Sequence, residues 1–205
     1  MADYCTTTEV KALIPESGLQ VVFDYDSMLA VLVTAASRAI DREVGQDANY
    51  FSPSSDNVTR YYDGNNKRCL QVGDWVSVAT VAVSDEGGLA SSDYTAWSSS
   101  DYITYPYNTT PITRLDVDTL NGSQLYFDAY PKSVRVTGIY GYSTTPPSDV
   151  ALACKMQVIR WFMRTKQMLA ETGGDSERGG YSFDHIDPDI SSLLNPYKLR
   201  QMGHD

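Results

Sequence analysis

The hydrophobic period of the chain changes twice. Over residues 26–44 apolar side chains recur at helical spacing; over about 50–145 they alternate in short runs broken by turn residues; over about 149–171 helical spacing returns. Helices near both ends with strands between them predict an α+β fold, in which a helical layer from both chain ends carries an inserted antiparallel β-rich domain. The divisions expected are 1–48 (N-terminal helical part), 49–145 (inserted antiparallel β domain), 146–174 (a long helix packing with the N-terminal helices) and 175–205 (an extended C-terminal docking tail).

The local signals support those divisions. Thr6, Thr7 and Thr8 can cap one or two helical turns over 6–14, with Glu9 in the first turn and Pro15 as a stop. Residues 15–25 connect onward, with Val21, Val22 and Phe23 packing down. Asp26 or Ser27 suits the N-cap of the first long helix, and Gly45 its C′ position. Met28, Leu29, Leu32, Val33, Ala36, Ala39, Ile40 and Val44 share one side of it, and Arg38, Asp41 and Arg42 the other.

In the middle, strands are expected at Val58–Tyr62, Cys69–Val72, Trp75–Ser84, Tyr94–Trp97, Ile103–Tyr107, Ile112–Val117, Leu125–Asp128 and 133–142. Turns are expected at Asp63-Gly64-Asn65-Asn66 and Asp85-Glu86-Gly87-Gly88. Trp75–Ser84 is apolar on both faces for part of its length, which predicts a central strand. In the last strand Val134, Val136, Tyr140 and Tyr142 point one way and Ser133, Arg135 and Thr137 the other.

The second long helix, about 149–171, starts at Ser148 or Asp149 and ends at Gly173-Gly174. It carries two apolar arcs. Val150, Cys154, Val158, Trp161, Phe162, Met168 and Leu169 form the first; Leu152, Met156, Ile159 and Met163 form the second. One arc can face the protein's own core. The other needs a further partner, either the sheet or a neighbouring subunit, so Leu152, Met156, Ile159 and Met163 are candidate subunit-interface residues. Lys155, Arg160, Arg164 and Lys166 make this helix locally basic, which suits a solvated or salt-bridged face.

The tail opens on the linker Gly173-Gly174-Asp175-Ser176-Glu177-Arg178-Gly179-Gly180. A short helical signal at Pro188–Leu194 follows, ended by Asn195-Pro196. Phe183, Ile186, Leu193, Leu194, Tyr197 and Leu199 cannot form a core by themselves, so they must dock on this fold or on a partner.

Composition argues against several chemistries. The net charge is −10, which repels phosphate and opposes wrapping of nucleic acid. The 15 tyrosines, against 5 Phe and 3 Trp, suit half-buried sheets and interfaces. Cys5, Cys69 and Cys154 are widely spaced and make neither a disulfide framework nor a zinc site. The start of the chain lacks a signal peptide, and no apolar stretch is long enough to span a bilayer.

The only histidines are His185 and His204, and no phosphate loop, dinucleotide fingerprint or zinc-protease motif occurs. Asp184, Asp187 and Asp189 flank His185 and could hold a hard cation, but without the EF-hand pattern the favoured reading is that Asp187 or Asp189 caps the helix that follows. Asp116 and Asp118 could serve a glycosidase, and Trp75 and Trp97 a sugar platform. No catalytic residue, metal or cofactor is assigned.

One pattern of phrases is distinctive. The strand Ser133-Val134-Arg135-Val136-Thr137-Gly138-Ile139-Tyr140-Gly141-Tyr142 leads through Pro146-Pro147-Ser148-Asp149-Val150 into an alanine-bearing helix. Before it stand Thr59-Arg60-Tyr61-Tyr62-Asp63-Gly64, Leu70, Trp75-Val76-Ser77-Val78 and the opening helix with Ala35-Ala36 and Ile40-Asp41. Over about residues 25–172 the chain resembles the head-to-tail adaptor (connector) proteins of long-tailed bacteriophages. The resemblance implies a structural, non-enzymatic virion protein at the head-tail interface, made in the host cytoplasm. It implies a ring, typically dodecameric, beneath the portal protein, extending a channel through which genomic DNA passes without specific binding. The ring would link the head to a head-completion (stopper) or tail protein. Members of the group often dock their C-terminal segment into the portal, which makes Phe183, Ile186, Leu193, Leu194, Tyr197, Leu199 and Arg200 candidate docking residues. The competing reading is a carbohydrate- or surface-binding β-module of a phage tail.

Overall fold

The computed structural model describes residues 3–14, 25–87, 90, 93–170 and 186–198, with side chains for all of these except 167–170. The expectations for Pro15, Val21, Val22, Phe23, the 173–180 linker, Phe183, Asp184, His185, Leu199 and Arg200 lie outside them, as do those for the side chains of Met168 and Leu169. Two units divide the chain: residues 1–49 with 146–205, and residues 50–145.

The first unit is helical. α1 (Thr7–Leu13) opens with a full capping box, in which the Thr6 hydroxyl accepts the Glu9 N–H and the Glu9 carboxylate accepts the Thr6 N–H. α2 (Asp26–Val44) ends at Gly45, whose φ of 77° is the left-handed stop the sequence predicts. Its N-cap residue is Tyr25, without a side-chain cap bond, rather than Asp26 or Ser27. Leu29, Val33, Ala36, Ile40 and Val44 are buried along one stripe.

α3 (Ser148–Ala170) packs on α1, α2 and α4 (Pro188–Leu194), and a 3-10 turn at Asn195–Tyr197 follows α4. Helices from the two ends of the chain therefore share one core.

The second unit is an antiparallel sheet of β1 (Val58–Tyr62), β2 (Cys69–Val83), β3 (Thr95–Ala96), β4 (Tyr102–Tyr105), β5 (Ile112–Val117) and β6 (Val134–Tyr140). The order is β1-β6-β2-β5-β4, with β3 also paired to β2. β2 is central, as its two-faced apolar run predicts. It joins the two strands expected at Cys69–Val72 and Trp75–Ser84 into one.

The joint is a bulge. Gly73 takes φ of +72°, and the register to β5 shifts between Gln71 and Trp75. Only a residue without Cβ takes that conformation cheaply. The bend leaves β2 paired with β5 through its first part and with β6 through Trp75–Val83. Trp75 is fully buried at the bend, and its indole N–H donates to the Val72 carbonyl at 2.8 Å.

Leu125–Asp128 is not a strand. Phe127 exchanges backbone hydrogen bonds with the Asn66-Lys67 turn (2.8 and 3.0 Å) instead of extending a ladder, while its ring is fully buried in the core. Leu70, Val72, Val81, Leu115, Val134 and Val136 complete that core around Trp75 and Phe127.

Candidate assembly surface

The faces of α3 separate as its two arcs predict. Val150, Cys154, Val158 and Phe162 are fully buried, and Trp161 is 8% exposed. On the opposite arc Leu152 is 43% exposed, and Met156, Ile159 and Met163 are half-buried. Exposed large apolar residues on neighbouring helices are Val31 on α2 and Leu13 on α1. The helical unit thus keeps apolar surface that its own core does not cover.

The described part of the tail is seated on this same unit. Ile190 and Leu194 are fully buried, so α4 uses one face as an anchor against α2 and α3. Of the candidate docking residues, Leu194 is covered by the chain itself, while Ile186, Leu193 and Tyr197 keep part of their surface.

Charged groups frame these anchors. Arg160 reaches Asp187 at 2.6 Å and Asp189 at 2.8 Å, and Arg164 reaches Asp187 at 3.4 Å. The two carboxylates hold the Arg160 guanidinium above its already high ordinary pKa, so it is cationic throughout. Lys198 pairs with Glu43 at 2.5 Å, and Tyr197 donates to Asp149 at 2.8 Å.

Asp187 stands at the N-cap of α4 but makes no side-chain cap bond. Its carboxylate is taken by the two arginines, which reside on the locally basic face of α3. The salt-bridged alternative for Arg160 and Arg164 is therefore the one the fold uses. Sequence reading missed Glu43, Asp149 and Lys198 as tail contacts, because single charges on separate helices carry no periodic signal.

In the β unit the four side chains considered above for sugar chemistry all make structural contacts. Trp75 is enclosed rather than presented, and Trp97 is half-buried, stacked on Phe127 with ring centroids 5.0 Å apart. Asp116 is tied to Arg114 at 2.8 Å, and Asp118 closes a turn by accepting the N–H groups of Leu120 and Asn121. A shallow opening of about 420 Å³ lies beside Gln71, Tyr105, Thr113 and Arg114. Among the described residues no group of three or more metal-ligating side chains is gathered. No described helix is long and apolar enough to cross a membrane.

No protein-family model matches the chain, and no curated protein does. Solved structures do. A chain in the neck of an empty gene transfer agent particle, computed with C6 symmetry, aligns over 97% of this chain and 91% of its own length, with TM-score 0.54 and 13% identity. A chain in the virion of the native gene transfer agent particle aligns over the same shares, with TM-score 0.54 and 14% identity. The fold is that of a gene transfer agent neck chain. The likeness spans both units, so the helical part and the sheet recur together. At this level of identity the shared property is the fold, preserved while most side chains differ.

Proposed function

We propose that this chain is a structural neck protein, a head-to-tail adaptor that assembles as a ring beneath the portal of a tailed, phage-like particle. The observation that carries this reading is the fold likeness to a gene transfer agent neck chain over nearly the full length of both chains. The ring extends the DNA channel and offers its far side to a stopper or tail protein. A net charge of −10 suits a channel wall, because like charge lets DNA slide past without adhering.

The second arc of α3 is the proposed subunit contact. Leu152, Met156, Ile159 and Met163 form an apolar stripe that a neighbouring copy would bury, as closed rings require of their repeating interface. The proposed portal contact is the C-terminal segment. Ile186, Leu193 and Tyr197 have surface free for it, whereas engaging Leu194 would require α4 to leave its seat on α2 and α3.

The test mixes the purified chain with portal rings from its own particle and examines the mixture by sedimentation and negative-stain electron microscopy. A stoichiometric collar on the portal is expected. Its absence, with the same portal shown to accept another adaptor, would remove the adaptor role.

A further inference from the structure

We propose that Cys5 and Cys154 form a redox-closable pair, a buried dithiol that a small peroxide converts into a disulfide tying the N-terminal segment to α3. This rests on the geometry of the helical unit and not on the neck reading.

Three parts of the chain converge there. Cys5 lies in the non-helical segment ahead of α1, Cys154 on the buried face of α3, and Ser37 on the buried face of α2. The two sulfurs are 3.2 Å apart, and the Ser37 hydroxyl lies 3.6 Å from the Cys154 sulfur. The cysteines are 5% and 0% exposed, so the pair is shielded from bulky thiols.

The segment carrying Cys5 is held by several bonds. The Tyr4 N–H donates to the Ser37 hydroxyl at 3.0 Å, the Tyr4 hydroxyl donates to Asp41, and Thr34 donates to Asp3 at 3.1 Å. These contacts aim Cys5 at Cys154. A disulfide needs the sulfurs to close to about 2.05 Å, a movement of roughly 1 Å, which the irregular backbone around Cys5 can follow.

The thiols are unequal. The Cys5 S–H donates to the Cys154 sulfur, which pushes the Cys5 pKa up and lowers that of Cys154. Cys154 is therefore the nucleophile and Cys5 the resolving thiol. The Cys154 thiolate attacks one oxygen of hydrogen peroxide; the O–O bond breaks, hydroxide leaves and takes up the proton Cys154 has released. The Cys5 sulfur then attacks the resulting sulfenic acid, and its own proton leaves with the second hydroxide as water. Two thiols and one peroxide give one disulfide and two waters.

The bond would link residues 149 positions apart and hold the segment that now relies on hydrogen bonds. Cys69 is exposed and serves as an internal reference.

The experiment treats the full chain, freed of reductant, with a small excess of hydrogen peroxide. The chain is then denatured, alkylated and digested for mass spectrometry. The expected product is a peptide pair joining Cys5 to Cys154, lighter by two hydrogens, with a melting point raised by roughly 5 °C or more and restored once the chain is unfolded, reduced with dithiothreitol and refolded. A Cys69→Ser background removes bonds between molecules. Recovery of Cys5 and Cys154 fully alkylated, after an exposure that oxidises Cys69 in the parent chain, would overturn the proposal. So would a bond from Cys69 to either of them.

Discussion

Gln157 lies at the centre of the buried face of α3, fully enclosed, and neither end of its amide finds a hydrogen-bond partner among the described residues. A buried, unpaired amide costs about 1–3 kcal/mol. Gln157→Leu keeps the volume and removes the polar atoms, so it should raise stability by about 1 kcal/mol, read as a higher urea midpoint with unchanged slope. A lowered midpoint would mean that the amide has a role which the packing does not reveal.

Asp101 is the opposite case, a buried carboxylate with its bonds satisfied. It accepts the Ser123 N–H and the Ser98 N–H, both at 2.8 Å, and the Ser123 hydroxyl at 3.3 Å. These donors, the Ser123 N–H foremost, hold its pKa below the ordinary 3.8, against the upward pull of burial. Because the folded value is the lower one, the stabilisation is complete above pH 3.8 and is lost as pH falls through the folded value. The β unit should therefore lose stability on acidification below that point, and Asp101→Asn should flatten this part of the curve. Equal slopes in urea titrations at successive pH values would refute the assignment.

At the scale of elements, the helices were legible and the strands only in part. A period of 3.6 is written redundantly over nineteen residues in α2, and the capping box and Gly45 mark ends chemically. Strand limits depend on pairing that the sequence does not record. β2 continues through Gly73 because β5 and β6 take it up in turn, and Leu125–Asp128 stays irregular because its partner is a turn. The two arcs of α3 were legible for the same reason as α2. The seat of α4 was not, because Asp187 suits a cap or an ion pair equally well, and only the fold brings Arg160 and Arg164 to it.

That seat gives a prediction for the element. Arg160→Glu would set like charge against Asp187 and Asp189. Arg160 is about one-third exposed, so the effect is screened and amounts to roughly 1 kcal/mol. Amide exchange of residues 190–197 should quicken about fivefold while that of α2 is unchanged, and the difference should shrink in 1 M salt. Unchanged exchange would show that α4 keeps its seat without the Arg160 ion pairs.

For the whole molecule, the sequence carried the α+β class and the resemblance to phage adaptors through the phrase from Ser133 to Val150. The fold likeness to a gene transfer agent neck chain extends over 97% of this chain. What neither supplies is the set of neighbours, because interfaces are written in side chains and only 13% of these are shared.

The most direct measurement is a cryo-electron-microscopy reconstruction of the particle that carries this chain. The adaptor reading requires repeated copies around the axis between head and tail, with the Leu152, Met156, Ile159 and Met163 stripe covered by the adjacent copy. Finding the chain instead on the tail shaft or tip, or missing from the neck of complete particles, would refute it.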